Sequence, residues 1–192
     1  MTYPKTFDTW YNAIVSPKIE GGVANRKLSE DPAGLTFRGF TFKNFILWAK
    51  SDLGIEPTQT NFLKLNDDQL KKVYYKRYWI AGKIDKVKPE LQIVAMDSVF
   101  NGGGIPSLSP KDSKGKSTFS TVEALNNSGL TVADTLKNRD LYLKSLKNYE
   151  ANKNGWAKRL KELANISLKN APSIVLPFFL LILIVFIFLF KF

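Results

Sequence analysis

Residues 20–41 run Glu20-Gly21-Gly22-Val23-Ala24-Asn25-Arg26-Lys27-Leu28-Ser29-Glu30-Asp31-Pro32-Ala33-Gly34-Leu35-Thr36-Phe37-Arg38-Gly39-Phe40-Thr41, a stretch flanked on both sides by helix-like periodicity. Gly21 and Gly22 suit the left-handed cap that ends a helix, which predicts Glu20 on the last turn of the preceding one. A carboxylate there opposes the helix dipole, so solvation alone is a poor reason for its position. Asp31 follows after a gap, then the Thr36 hydroxyl and a glycine at Gly39. Pro32, Gly34 and Gly39 break any helix, predicting a short β-hairpin or an irregular loop. Two acids and a hydroxyl on a bent loop are the minimum set for activating one water at a sugar carbon.

Outward from this stretch the periodicity is helical, and the fold class read from it is mainly α. Phe7, Trp10, Tyr11 and Ile14 step by three and four residues and predict one apolar helix face. Phe42, Phe45, Ile46, Ala49 and Leu53 predict a second helix, stopped at Gly54. Asn66 can cap a third, with Asp67 and Asp68 favourable in its first turn; it carries Tyr74-Tyr75-Lys76-Arg77-Tyr78-Trp79. Pro89 opens a fourth, whose small residues Ala95 and Ser98 suit a central, closely packed position. Gly102 to Ser117 reads as a mobile loop that lacks the lysine ending and preceding strand of a phosphate loop. Ser120 with Glu123 and Thr131 with Asp134 read as capping boxes. Helices are expected from about Leu136 to Asn152 and from Trp156 to Leu168.

Composition closes off several chemistries. The 192 residues contain no Cys and no His, so disulfides, thiol nucleophiles, imidazole bases and conventional zinc sites are excluded. No metal and no cofactor is expected; catalysis must use carboxylates, hydroxyls, Lys or Tyr. The net charge of +11 favours polyanions, among them bacterial wall polymers and anionic lipid. A nucleic-acid partner is not expected, because the aromatics follow helix faces rather than alternating with a basic groove.

Ala171 to Phe190 contains no charged residue. Twenty residues at about 1.5 Å each match the roughly 30 Å core of a bilayer. The run predicts a C-terminal transmembrane anchor, dividing the chain into a soluble domain, 1–168, and an anchor, 169–192. Lys158, Arg159, Lys161 and Lys169 precede it, and the positive-inside rule would hold the domain on the cytoplasmic side. The expected location is thus a single-pass membrane protein of a host inner membrane or virion membrane, with capsid or spike proteins as partners.

The Glu20–Thr41 spacing closely resembles the signature of glycoside hydrolase family 108, the phage-type N-acetylmuramidases, departing from it only where Phe40 replaces an isoleucine. The resemblance extends in order along residues 7–165. Tyr78-Trp79 resembles a helix-closing pair of the family, and Asp97-Ser98-Val99-Phe100-Asn101-Gly102-Gly103 its buried helix end, with Phe100 interposed. Arg139, Tyr142 and Gly155-Trp156-Ala157-Lys158-Arg159 resemble its C-terminal elements. A tail anchor is not a usual family feature. The resemblance implies a lysozyme-like helical domain acting on peptidoglycan, with the β-1,4 bond between N-acetylmuramic acid and N-acetylglucosamine as its target. A non-catalytic wall-binding or virion structural protein is the other reading.

Within that expectation Glu20 is the acid that protonates the leaving oxygen. Keeping a proton at neutral pH calls for partial burial against aromatics, and Tyr75, Tyr78 and Trp79 are candidates for that wall and for stacking on sugar. Asp31 is either the partner carboxylate or an Asp-Pro turn former. Two carboxyls about 6.5–9.5 Å apart would invert the anomer, and about 5 Å would retain it. Thr36 orients water or serves the turn. Asn101 binds an N-acetyl group or caps a helix. Gly21, Gly22, Gly39, Thr41 and Asp97 are expected to shape the site, Asp97 by accepting hydrogen bonds near the active loop.

Overall fold

A computed structural model describes residues 2–15, 19–25 and 34–169. The expected stripe forms helix α1 (Lys5–Ile14), with Phe7, Trp10, Tyr11 and Ile14 all buried. Each such large side chain contributes about 1.5–3 kcal/mol by leaving water. The partner of that face is α5 (Gln92–Phe100), where Ile93, Val94, Ala95, Met96, Asp97 and Ser98 are buried in succession. A helix covered on every side is the axis of its domain, and α1, α7 (Val132–Lys144) and α8 (Tyr149–Lys169) all pack on it.

Strands β1 (Val23–Asn25), β2 (Leu35–Phe37) and β3 (Phe40–Thr41) form one antiparallel sheet in that order. Ala24 lies opposite Thr36, and Thr36 opposite Thr41. Arg38 and Gly39 make the two-residue turn between β2 and β3, with φ of 51° and 81°. Positive φ at both central residues gives the turn whose twist matches its strands. Thr41 then caps α2 (Phe42–Trp48), accepting from the Asn44 amide at 3.1 Å.

Helix α2 ends in a wide π turn, Ala49–Leu53, and α4 (Asp67–Tyr74) ends in another, Tyr75–Ile80; short α3 (Gln59–Leu63) lies between them. The expected Asn66 cap is present as a full capping box with Gln69. Asp52 joins the two π turns. Its fully buried carboxylate is 2.6 Å from Arg77 Nε and 2.5 Å from Lys76 Nζ. Burial pushes its pKa up, but the hydrogen bonds and charges of Arg77 and Lys76 outweigh burial and hold it below the ordinary value.

Several expectations are corrected. Helix α1 stops at Ile14, so Glu20 lies in a turn beyond the helix rather than on its last turn. The 102–117 segment holds a 3₁₀ turn, Ile105–Leu108, with Ile105, Ser107, Leu108 and Ser109 buried. The cap of α6 (Val122–Asn127) is Thr121 rather than Ser120, while Thr131 and Asp134 form the expected box on α7. Helix α7 ends at Lys144 rather than near Asn152, and α8 starts at Tyr149 and runs through Gly155 to Lys169. The expected transmembrane helix is corrected too. No helix among the described residues is long and apolar enough to cross a membrane, and 171–190 lies outside those residues. The single-pass anchor, and the membrane location built on it, therefore have no support. Arg159, expected as a membrane-flanking cation, is 5% exposed inside the domain.

A carboxylate whose pKa is depressed by folding stabilises the fold above its unfolded pKa of about 3.9, and that stability is lost as pH falls through the depressed value. Asp52→Asn is expected to cost roughly 1–3 kcal/mol at pH 7. The gap to the parent should narrow on acidification below about pH 4; urea melts at pH 7 and pH 3 measure both.

Candidate active site

The turn at 38–39 meets the acid. Arg38 N donates to the Gly22 carbonyl at 3.0 Å, closing the sheet against the residues that follow Glu20. A Cβ at Gly39 would lie 2.7 Å from Glu20 Oε2 and 2.7 Å from Phe100 Cζ. Gly39 is thus required twice, by its φ of 81° and by the carboxyl group packed over it. Arg38 takes the less usual positive φ for a residue with a side chain, and its bonds offset that cost. Its Nε donates to the Val15 carbonyl at 3.2 Å, its guanidinium pairs with Asp67, and its own carbonyl accepts from the Tyr74 hydroxyl at 2.9 Å.

On the other side Glu20 Oε1 pairs with Arg159 Nη1 from α8. Arg159 is shared. Its Nε donates to Asp97 Oδ1 at 2.8 Å and Oδ2 at 3.1 Å, and Nη2 lies 2.6 Å from Oδ1. Asp97 also accepts from Trp10 Nε1 at 3.3 Å. The Glu20 side chain is 16% exposed, that of Arg159 6% and that of Asp97 1%. Burial works against the Arg159 charge, but the Asp97 and Glu20 carboxylates outweigh it and raise its pKa further. The Phe100 ring lies under the guanidinium at 5.5 Å. Tyr74 packs edge-on against Phe100 at 5.0 Å, and burial, with Tyr78 and Glu20 nearby, lifts its pKa well above the ordinary phenol value.

Of the expected aromatic wall, Tyr78 alone adjoins this cluster, touching Phe100 at 5.2 Å and accepting from Asn44 Nδ2 at 3.4 Å. Tyr75 packs away from it on Tyr3 and Phe7. Trp79 is 1% exposed in the core, so its ring has no face for a sugar. The wall is instead Phe100 and Tyr74. Thr36 lies on the middle strand, its hydroxyl 3.5 Å from the Ala24 carbonyl; strand alternation puts it opposite the core-packed Leu35 and Phe37. Gly21 has a φ of 71° and carries the turn out of Glu20. Asn101 ends α5, its amide donating to the Asp97 carbonyl at 2.8 Å, while its buried Nδ2 has no partner among the described residues. Asp31 lies outside the described residues. No group of three His, Cys, Asp or Glu is placed to hold a metal among the described residues.

Arg159, which the sequence offers only as the end of the Gly155–Arg159 resemblance and as a cation ahead of 171–190, is the residue whose place in this cluster was not expected. A signal existed: a carboxylate on a helix buried all round demands a cation, and Asp97 sits on such a helix. Arg139, the other buried arginine, is spent elsewhere, donating to the Gly102 carbonyl at 2.7 Å and to Ser107 Oγ at 2.9 Å.

A largely buried carboxyl over a β-turn, backed by an arginine, is a group suited to proton transfer, in a chain that has no thiol or imidazole to offer. The sequence adds a family likeness: residues 15–103 match the model of the Glycosyl hydrolase 108 family. The protein is a peptidoglycan-degrading glycoside hydrolase. The solved structure of SagA from Brucella abortus shares the fold, with a TM-score of 0.64 and 18% identity over 89% of this chain and 98% of that one. No curated protein matches the chain in sequence.

Gly39→Ala is expected to lower wall-clearing activity at least tenfold, because either the turn or the Glu20 carboxyl must shift. The accompanying cost of roughly 1–2 kcal/mol at a left-handed position should appear as a modest fall in melting temperature, measured beside the turbidity rate.

Proposed function

We propose that the protein is an N-acetylmuramidase that cleaves the β-1,4 bond between N-acetylmuramic acid and N-acetylglucosamine. The observation that carries this reading is the Glu20 carboxyl, seated over the Gly39 turn, partly buried and still open to solvent on one side. Glu20 is the general acid, giving its proton to the leaving glycosidic oxygen as the C–O bond breaks. Asp31, on the connection between β1 and β2, is the base that takes a proton from the attacking water. The Thr36 hydroxyl, on the strand that connection enters, holds that water. A hydroxyl that orients water has no use if the carboxylate itself attacks, and this favours inversion of the anomer. Tyr78 and Asn101 are the side chains that would meet the sugar, the Asn101 amide, buried and unpartnered among the described residues, suiting the carbonyl of an N-acetyl group once a side-chain rotation exposes it.

Purified peptidoglycan incubated with the parent and with Glu20→Gln tests the reading. The parent is expected to release fragments with muramic acid at their reducing ends, and Glu20→Gln to lose activity by a factor of at least a thousand. Equal clearing by both would remove Glu20 from the role of acid. Glucosamine reducing ends would assign the other linkage. Proton NMR of the first-formed anomer distinguishes inversion from retention.

A further inference from the structure

Three buried or half-buried charged groups, Glu20, Arg159 and Asp97, form one trio with a single cation between two carboxylates. An isolated Glu20–Arg159 pair would hold the glutamate as an anion, which is the wrong form for an acid. Asp97 changes that balance. It is the more buried carboxylate, and it takes the Nε of Arg159 on both its oxygens as well as the Trp10 indole N–H. With Asp97 ionised, the Arg159 charge is already matched, and the trio is neutral when Glu20 carries a proton. A neutral trio is the cheaper one to keep under a bound glycan that excludes water.

We propose that Asp97 and Arg159 are positioning residues that set the charge state in which Glu20 meets its substrate, Arg159 by gripping one carboxyl oxygen and Asp97 by holding back the charge of Arg159. The proposal rests on Glu20 being the acid. It also extends the site beyond the matched block of residues 15–103, because Arg159 comes from α8. The other charged and titratable groups around the trio are engaged. Tyr74 from α4 donates to the Arg38 carbonyl, Arg38 pairs with Asp67, and Arg139 from α7 serves Gly102 and Ser107.

The test is the pH–rate profile of the full chain on soluble, uncross-linked peptidoglycan strands, for the parent, Glu20→Gln, Asp97→Asn and the double variant Asp97→Asn/Arg159→Gln. Folding is checked by near-ultraviolet circular dichroism. Asp97→Asn leaves Arg159 wholly to Glu20, and the alkaline limb of activity is expected to move down by about 1 pH unit or more. The double variant removes both charges, and its limb is expected to move up relative to Asp97→Asn by at least as much. Apparent KM should stay within about twofold while kcat carries the change. Limbs that do not move, that move in the same direction, or variants that fail to fold in either form would reduce the trio to a packing device and overturn the inference. An active Glu20→Gln would instead overturn the assignment of the acid, so the two failures are distinct.

Discussion

One guanidinium holds the active end of this molecule together. Arg159 lies between Asp97 on the central helix and Glu20 in the turn after α1. Taking three charged groups out of water costs several kcal/mol each, and only close, well-aligned bonding recovers it. The bonding here is close: Asp97 takes Arg159 on both oxygens, with the Trp10 indole as a third donor. Arg159 therefore locates α8 on α5 and Glu20 on both. The sheet adds the remaining constraint from the opposite side, since the carboxyl packs over Gly39 in space that a Cβ would occupy.

The two halves of the site are built by different physics. The sheet half is local: Arg38 and Gly39 make a turn whose φ values set the hairpin, and a short reach brings it to Glu20. The helical half is assembled from remote segments, with α5, α7 and α8 each supplying a charged group or a brace. Arg139 on α7 fixes the glycine-rich exit of α5, where a Cβ at Gly103 would strike the Tyr142 ring at 2.7 Å. The end of α5, which presents Phe100 and Asn101, is thereby held from two sides.

Much of the helical frame was legible in the sequence, because a stripe such as Phe7-Trp10-Tyr11-Ile14 records burial directly. Caps at Asn66 and Thr131 were legible for a similar reason: the residues that bond are close in the chain. Glu20 and Gly39 were recognisable from their spacing, though the helix turn expected to carry Glu20 ended earlier, at Ile14. What periodicity and spacing do not record is which remote groups meet. Arg159 reads in the sequence as the last residue of a family-like element and as a cation in a basic helix, with nothing to link it to Glu20 or Asp97. Trp79 looks like a sugar platform, but it lies buried in the core within the π turn at Tyr75–Ile80. Phe100, an interposed residue by sequence, becomes the ring beneath both Gly39 and Arg159.

The bond from Arg159 to Glu20 joins residues 139 positions apart. Contacts that distant close late, because a long loop must lose its entropy before they form. Glu20 emerges from the ribosome early and has no Arg159 to pair with until α8 has been made and has docked. Partly synthesised chains, which carry Glu20 and the whole sheet, therefore lack a finished site. The trio of Glu20, Arg159 and Asp97 is completed at the end of folding, in the same event that locks the last helix down.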